Sequence, residues 1–198
     1  MYASSSSVYG LNPPMPTPET AMPRPLSPYG VTKLAGEHYC RVFWELFGLE
    51  TVMLRYFNVY GPRQRPDSQY AAVIPLFIEA LQAGRPPEVH GDGLQSRDFT
   101  FVSDAVAANL KALEAPAERA AGRAFNIAGG TAYTLLDLLT TLQDHLGTDV
   151  EPHHVAPRAG DVRHSCAAVA AAERDLGFRT EVSFPEGLGK TVDWFTRR

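Results

Sequence analysis

The chain has 198 residues, of which 44% are hydrophobic and 20% charged, with 18 Lys and Arg against 22 Asp and Glu. That length suits one domain, or a domain and a half, with a real hydrophobic core, and the net charge of −4 argues against a generally basic nucleic-acid-binding protein. There is no apolar run of the roughly 18 residues that span a bilayer, no signal peptide and no Cys-x-x-Cys spacing between Cys40 and Cys166. We therefore expect a soluble cytoplasmic protein without a membrane partner, a disulfide framework or a cysteine-ligated metal.

The first quarter of the chain predicts a strand end, a loop and a long helix. Residues 1–10 are typical of a strand that runs into a turn, and the proline-rich segment Leu11–Leu26 predicts an extended surface loop, because proline cannot donate to a ladder. Ser27 is a good N-cap and Pro28 suits the first helical position. The apolar-rich stretch that follows predicts a helix to Phe47, with Gly48 as its stop.

Strands and helices then alternate, which favours an α/β fold built on a parallel sheet. The predicted strands are Thr51–Tyr56, Glu88–His90, Ala124–Ile127 and, at an edge, Val150–Val155. The predicted helices are Ala71–Ala83, Ser103–Glu114 with Ser103 as cap, Leu135–Leu146, Ala167–Leu176 and Pro185–Phe195, and Phe57–Asp67 is a polar loop.

Two nucleotide-binding motifs and a histidine metal site are missing from the sequence. It contains no G-x-G-x-x-G turn, which normally opens a doubly wound dinucleotide-binding domain. The segment from Gly187 to Thr191 resembles the tail of a P-loop, but Phe184 stands where its first glycine should be, so Lys190 is interpreted as a solvated helix residue. The six histidines show no metal-ligand spacing, and we expect no metal site.

A possible proton-transfer set lies near the N-terminus. Tyr29 and Lys33 are four residues apart and share one face of the predicted helix. The serine cluster, residues 4–7, precedes them at the expected carboxyl end of a parallel strand, where ligand-facing groups collect. A hydroxyl, a phenol and an ammonium group suit proton transfer, since the nearby positive charge favours the phenolate.

Three motifs together resemble the extended short-chain dehydrogenase/reductase family, and within it the NAD-dependent epimerases and dehydratases. They are SSSVYG at residues 5–10, SPYGVTK at 27–33 and LRYFNVYGP at 54–62. The likeness is greatest to the UDP-glucose and UDP-N-acetylglucosamine 4-epimerases. It implies NAD as cofactor, Ser5, Tyr29 and Lys33 as catalytic residues, and Tyr29, Lys33 and Phe57 beside the cofactor.

The same resemblance implies a set of substrate residues for a UDP-sugar. Asn58 and Arg97 match residues that contact the sugar diphosphate, and Arg158 and Asp161 match an Arg-x-Gly-Asp element that binds phosphate and ribose. Arginine forks suit a diphosphate better than lysines do. Small residues, Ser165 and Ala72, stand where galactose-specific relatives have bulkier ones, and with Ser6, Ser7, Asn58 and Gln64 they imply room for an N-acetyl group.

The implied reaction is a 4-epimerisation by transient oxidation. Tyr29 removes the proton of the sugar 4-hydroxyl with Ser5 as relay, the C4 hydride passes to NAD, and the 4-keto sugar turns before it is reduced again. A 4,6-dehydratase is disfavoured because Ser6 and Ser7 stand where it needs an acidic pair. A reductase, a decarboxylase, a UDP-glucuronate 4-epimerase and an inactive nucleotide-sugar-binding fragment stay open.

The resemblance also implies a domain layout. Residues 1–62 match the C-terminal portion of a Rossmann NAD-binding domain, and 63–198 mainly a smaller α/β substrate-binding domain, with about 99–128 returning to the Rossmann sheet. Relatives have a longer N-terminal part and pair as homodimers through the Tyr/Lys helix, so for this chain alone we expect exposed apolar faces, no bound NAD and no epimerase activity. Relatives often carry Ala-Asp where this chain has Ala167-Ala168, and we expect the loss of that cap to weaken the helix start by about 1 kcal/mol.

Overall fold

A computed structural model describes residues 1–65, 73–158 and 162–197. The strands in these ranges are β1 (Tyr2–Ser5), β2 (Val52–Tyr56), β3 (Val59–Tyr60), β4 (Glu88–His90), β5 (Ser96–Asp98), β6 (Thr100–Phe101), β7 (Arg123–Ile127), β8 (Ala132–Thr134) and β9 (His153–Val155). The helices are α1 (Pro28–Phe47), α2 (Val73–Gln82), α3 (Val102–Glu114), α4 (Ala117–Ala120), α5 (Leu135–Leu146) and α6 (Phe184–Thr196), with a 3₁₀ turn at Ser6–Val8 and a π-helical turn at Ala172–Leu176. None of the described helices has the length and hydropathy of a membrane span.

The largest described sheet is parallel and has the strand order β1–β2–β7. Its register places Ser5 beside Tyr56 and Tyr56 beside Ile127, so all three strands end at the same edge. The other pairs are β3 with β6 and β4 with β9, both parallel, and the antiparallel pair of β5 and β8. The predicted α/β class with a parallel sheet is confirmed. The domain boundaries at residue 62 and at 99–128 stay a prediction.

Three apolar clusters of the described residues hold these elements together, and two of them are large. One packs helices α2, α5 and α6 around the aromatic rings of Tyr60, Phe99 and Phe184, of which the last two stack with centroids 5.0 Å apart. The other packs α3 and the π-helical turn onto one face of the main sheet, around Phe125. By contrast, α1 leaves large apolar side chains exposed, as expected from the sequence: Val31, Tyr39, Val42, Phe43, Leu46 and Phe47.

The helix signals that are local in sequence predict three helices to within one residue at each end. Helix α1 runs from Pro28 to Phe47, with the Ser27 side chain accepting from the Gly30 N–H and with Gly48 in a left-handed C-cap. Helix α5 has the predicted bounds Leu135–Leu146. Helix α6 extends the predicted range by one residue at each end. The remaining differences lie where tertiary contacts decide.

Two helix starts are corrected. Helix α3 begins at Val102, directly after β6, and its N-cap Phe101 makes no side-chain cap bond, so Ser103 is not the cap. The predicted helix 167–176 is helical from residue 170 onward and not before, because the Ala167 N–H donates to Asp98 and the Ala168 N–H to the Thr17 carbonyl. Ala167 and Ala168 therefore lie in an extended segment, and the expected loss of a helix cap there is wrong.

Short strands account for the other differences. The predicted loop from Phe57 contains β3, and the predicted strand 150–155 is reduced to β9. Strands β5, β6 and β8 and helix α4 were not predicted, since two to four residues carry too little periodicity to read. The first two residues of the predicted helix 71–83 lie outside the described ranges, and α2 covers Val73–Gln82.

Candidate active site

The serine cluster lies at the carboxyl edge of the main sheet, as its place in the sequence predicts. Ser5 ends β1, and its hydroxyl accepts a hydrogen bond from the Ser7 N–H at 3.2 Å, which caps the 3₁₀ turn. Phe57 directly follows β2 and is almost fully buried. The parallel register pairs Ser5 with Tyr56, and so brings residues that are 51 positions apart to one edge of the sheet.

Tyr29 and Lys33 lie on the first two turns of α1, beside β1. The Lys33 Nζ is 5.5 Å from the centroid of the Tyr29 ring and donates a 2.8 Å hydrogen bond to the Ala3 carbonyl. Tyr29 as a residue is 47% exposed, so a small molecule can reach its side chain. The ammonium group thus links the helix to the strand that carries Ser5 and keeps a positive charge beside the phenol.

A buried ion pair lies one helical turn beyond Lys33. Glu37 receives two hydrogen bonds from Arg55, Nε to Oε1 at 2.8 Å and Nη2 to Oε2 at 2.6 Å, and both side chains are 6% exposed. The Ser4 hydroxyl also donates to Glu37. Burial alone would lower the pKa of Arg55, but its bonds to Glu37 and Tyr9 raise it overall. The pair joins α1, β1 and β2 directly behind the candidate catalytic residues.

Tyr9 extends this network to the third strand. Its hydroxyl accepts from Arg55 Nη1 at 2.8 Å and donates to Asn126 Oδ1 at 2.6 Å, and burial raises the pKa of Tyr9 to about 12. The Asn126 side chain in turn donates to the carbonyls of Thr17 and Ala168. The sequence analysis missed this network. The available signal was Arg55, a charge inside an otherwise apolar strand, which requires a buried partner.

Two cavities that share Asn58 and Arg97 lie next to the carboxyl edge of the main sheet. The smaller, about 290 Å³, is lined by five further residues that matter here: Ser6, Ser7, Phe57, His164 and Ser165. The larger, about 680 Å³, reaches Gln64 and Arg158. The structure thus brings together seven of the predicted substrate residues. Ala72 and Asp161 lie outside the described ranges. Within those ranges, Ser5, Tyr29 and Lys33 are not among the lining residues of either cavity.

Asn58 and Arg97 are positioned at the junction by neighbouring backbone. Asn58 has a left-handed backbone (φ 25°), and its side-chain amide donates to the Asp98 carbonyl at 3.0 Å. Such a conformation is uncommon for a non-glycine residue and recurs at ligand sites. Arg97 Nη1 donates to the Ser96 carbonyl at 2.9 Å, which holds the guanidinium plane at the cavities. A fixed fork of donors at this place suits a diphosphate.

Three buried polar atoms beside the cavities have no hydrogen-bond partner in the described part of the chain. They are Ser7 Oγ, Gln64 Oε1 and Gln95 Oε1. Buried polar groups are nearly always paired, so unpaired ones beside a cavity point to a polar ligand or bound water. A sugar diphosphate carries hydroxyl donors that fit such acceptors.

The segment 163–168 forms one wall of the smaller cavity. The Ser96 N–H donates to the Arg163 carbonyl at 2.9 Å and the Ser165 N–H donates back to Ser96 at 3.0 Å, so the segment pairs with β5. His164, whose Nδ1 lies 3.0 Å from Ser96 Oγ, was given no role in the sequence analysis. The short Ser165 side chain beside it leaves the cavity open.

A parallel sheet with polar groups and cavities at the carboxyl ends of its strands is the arrangement in which open α/β proteins bind their ligands. The chain belongs to the NAD dependent epimerase/dehydratase family, which its sequence matches over residues 1–128. The resemblance inferred from the motifs is confirmed.

Individual relatives agree with this assignment. The UDP-glucose 4-epimerase of Mycolicibacterium smegmatis is 38% identical over 196 residues, which are 99% of this chain and 61% of the relative. The solved UDP-N-acetylglucosamine 4-epimerase from Methanobrevibacter ruminantium M1, in complex with UDP-N-acetylmuramic acid, is 41% identical with a TM-score of 0.91, covering 99% of this chain and 62% of that one. The UDP-glucose 4-epimerase of Thermotoga maritima, solved with UDP-glucose, is 40% identical with a TM-score of 0.92, covering 98% and 62%. The chain therefore spans about 60% of the length of these relatives.

Proposed function

We propose that this chain carries the substrate site and the proton-transfer residues of an NAD-dependent UDP-hexose 4-epimerase. The observation that carries the proposal is the position of the Lys33 ammonium. It lies over the Tyr29 ring and donates to the carbonyl of Ala3, which precedes Ser5 by two residues on β1. Ser6 and Ser27, close in sequence to these residues, line the smaller of two cavities that share Arg97. The UDP-sugars bound in the solved relatives support the same substrate class.

Each group then has a definite part in the reaction. Tyr29 is the base that takes the proton of the sugar 4-hydroxyl, with the Ser5 hydroxyl as relay, and the Lys33 ammonium lies beside its ring. Arg97 and Arg158 bind the diphosphate, so that the sugar can turn while its nucleotide stays bound. NAD, when bound beside Tyr29, Lys33 and Phe57, supplies the acceptor and donor of the C4 hydride.

The exposed phenol and the neighbouring ammonium group fit the nicotinamide end of NAD. No glycine-rich turn for its pyrophosphate occurs in this sequence. Activity is therefore best measured with the chain fused behind the N-terminal part of a solved relative, and with the chain alone for comparison. We expect bound NAD and UDP-sugar interconversion from the fusion only.

Tyr29→Phe in that fusion tests the proton-transfer role. Loss of a general base lowers kcat by about 10²- to 10⁴-fold, while KM changes little. Tyr39→Phe is the matched control, because Tyr39 is exposed on the same helix, ten residues further on. Full activity of Tyr29→Phe, or equal losses in both variants, would contradict the proposal.

We propose further that the substrate pocket accepts UDP-N-acetylglucosamine as well as UDP-glucose. The small Ser165 side chain at the wall of the 290 Å³ cavity supports this, as it leaves room for an acetamido group. Ser165→Tyr should abolish turnover of UDP-N-acetylglucosamine and spare UDP-glucose. Ser165→Thr, which adds one methyl group, should spare both. Equal loss on the two sugars with Ser165→Tyr would refute the size gate, whereas UDP-glucuronate as the sole substrate would replace the proposed sugar.

A further inference from the structure

Asp98 is a buried carboxylate next to the site that the proposed reaction does not use. It is the last residue of β5 and has no exposed surface. Successive residues of a strand face opposite sides, so Arg97 lines the cavities while Asp98 faces away from them. A buried carboxylate this close to a substrate site needs an explanation, because its burial is costly unless it is fully paired.

Backbone N–H groups from two separate segments pair with this carboxylate. Oδ1 accepts from Gly129 at 2.9 Å, and Oδ2 accepts from Gly130 at 3.1 Å and from Ala167 at 3.0 Å. Gly129 and Gly130 form the turn after β7, and Ala167 lies two residues beyond Ser165. Asp98 therefore joins the sheet edge, β5 and the segment 163–168 at one point.

The Asp98 contact acts together with backbone pairings on both sides of the segment. The segment's backbone pairs with Ser96 on one side, through Arg163 and Ser165, and with Thr17 on the other, through Cys166 and Ala168. Between these two pairings the Asp98 carboxylate accepts the Ala167 N–H from behind the segment. The bond from Ala167 to Asp98 therefore helps to fix how far Ser165 lies from Arg97 across the cavity.

Protonation would weaken this contact. A neutral carboxyl group has lost its negative charge, and the oxygen that carries the proton has one acceptor direction fewer, so the three N–H bonds are weakened together. Burial raises the pKa of Asp98 to about 6, although the three backbone N–H groups act to lower it. The Cys166 thiol faces the carboxylate from the segment, and the Gly129–Gly130 turn presents only backbone. Two imidazoles also lie at the cavities, His164 in the smaller and His90 in the larger.

We infer that Asp98 is a positioning residue for sugar recognition, whose ionised carboxylate holds the segment 163–168 so that Ser165 and Arg97 face one bound sugar diphosphate. The inference rests on the proposed nucleotide-sugar site. In this inference Asp98 contacts neither substrate nor cofactor and acts by positioning the segment 163–168, which forms the wall on the sugar side of the site.

Calorimetric binding of UDP-N-acetylglucosamine and of UDP to the 198-residue chain tests the inference. Asp98→Asn should lower the affinity for UDP-N-acetylglucosamine by about tenfold, which is the usual effect of leaving a buried donor unpaired. It should lower the affinity for UDP by less. Asp92→Asn is the matched control, because Asp92 pairs with Arg163 of the same segment in a 2.7 Å ion pair that is about half exposed. We expect no change in affinity from it. Equal affinities for Asp98→Asn and wild type would overturn the inference.

The pH profile separates positioning from a general loss of structure. Wild-type affinity for UDP-N-acetylglucosamine should fall between pH 7.5 and 5 around the pKa of Asp98, about 6. That fall should be absent in Asp98→Asn and present in His164→Asn. A fall in affinity that persists in Asp98→Asn has another origin and contradicts the role of Asp98.

Amide hydrogen exchange of the wild type needs no substitution. The protection factors of Gly129, Gly130 and Ala167 should fall together as the pH drops below 6, while those of helix α5 stay constant. Constant protection at the three amides would overturn the inference even where binding changes. Absence of UDP binding at every pH would contradict the proposed function, and the exchange data would then still decide whether Asp98 holds the segment.

Discussion

Replacing Glu37 by Gln removes one charge from the buried network of Glu37, Arg55 and Tyr9 and tests how much that network stabilises the fold. The substitution keeps the shape of the side chain but leaves Arg55, 6% exposed, without its counter-ion. Breaking a buried ion pair by removing one partner lowers the free energy of unfolding by about 3–5 kcal/mol, because the remaining charge is desolvated and unpaired. Arg55 keeps its bonds to the Tyr9 hydroxyl and the Glu19 carbonyl, so we expect the lower end of that range.

Urea denaturation followed by circular dichroism measures this loss as a lower midpoint at constant m-value. Glu45→Gln is the matched control on the same helix, since its pair with Arg41 is more than half exposed and such pairs contribute about 0.3–0.5 kcal/mol. The double variant Glu37→Leu/Arg55→Met should recover most of the stability, because removing both charges removes the desolvation penalty. A loss below about 1 kcal/mol for Glu37→Gln, equal to that of the control, would refute the importance of the pair.

Three further predictions concern capping, pH and packing. Ser27→Ala should lower the free energy of unfolding by about 1 kcal/mol, and Ser103→Ala by a few tenths at most, because of these two serines only Ser27 makes a cap bond. Equal losses in thermal melts would contradict the corrected start of α3. Tyr9 keeps its proton in the folded state up to a pKa of about 12, so stability should fall as the pH rises above about 10, and Tyr9→Phe should flatten this slope in urea titrations. Gly187→Ala should destabilise α6 by about 1–3 kcal/mol, because its Cβ would lie 2.2 Å from the Tyr60 hydroxyl; Gly189→Ala, which meets only the exposed His145 ring, should be neutral or stabilising.

The sequence by itself determined what neighbouring residues decide. The cap, first-turn proline and stop glycine of α1 lie within the helix or directly beside it, so its bounds follow from local backbone preferences. The apolar strand 52–56 and the spacing of Tyr29 and Lys33 are local in the same sense. The family also follows from the sequence, because its motifs are short and contiguous.

Tertiary structure decided what depends on distant partners. Residues 167–169 have a helical composition. Their backbone is nevertheless extended, because the Ala167 N–H donates to Asp98, 69 positions earlier, and the Ala168 N–H donates to Thr17, 151 positions earlier. The pairing of Glu37 with Arg55, 18 positions apart, exists only after α1 packs against β2. Hydrogen bonds of this kind form between groups that folding brings together and water can no longer reach, so their energy outweighs local propensity and leaves no periodic trace in the sequence.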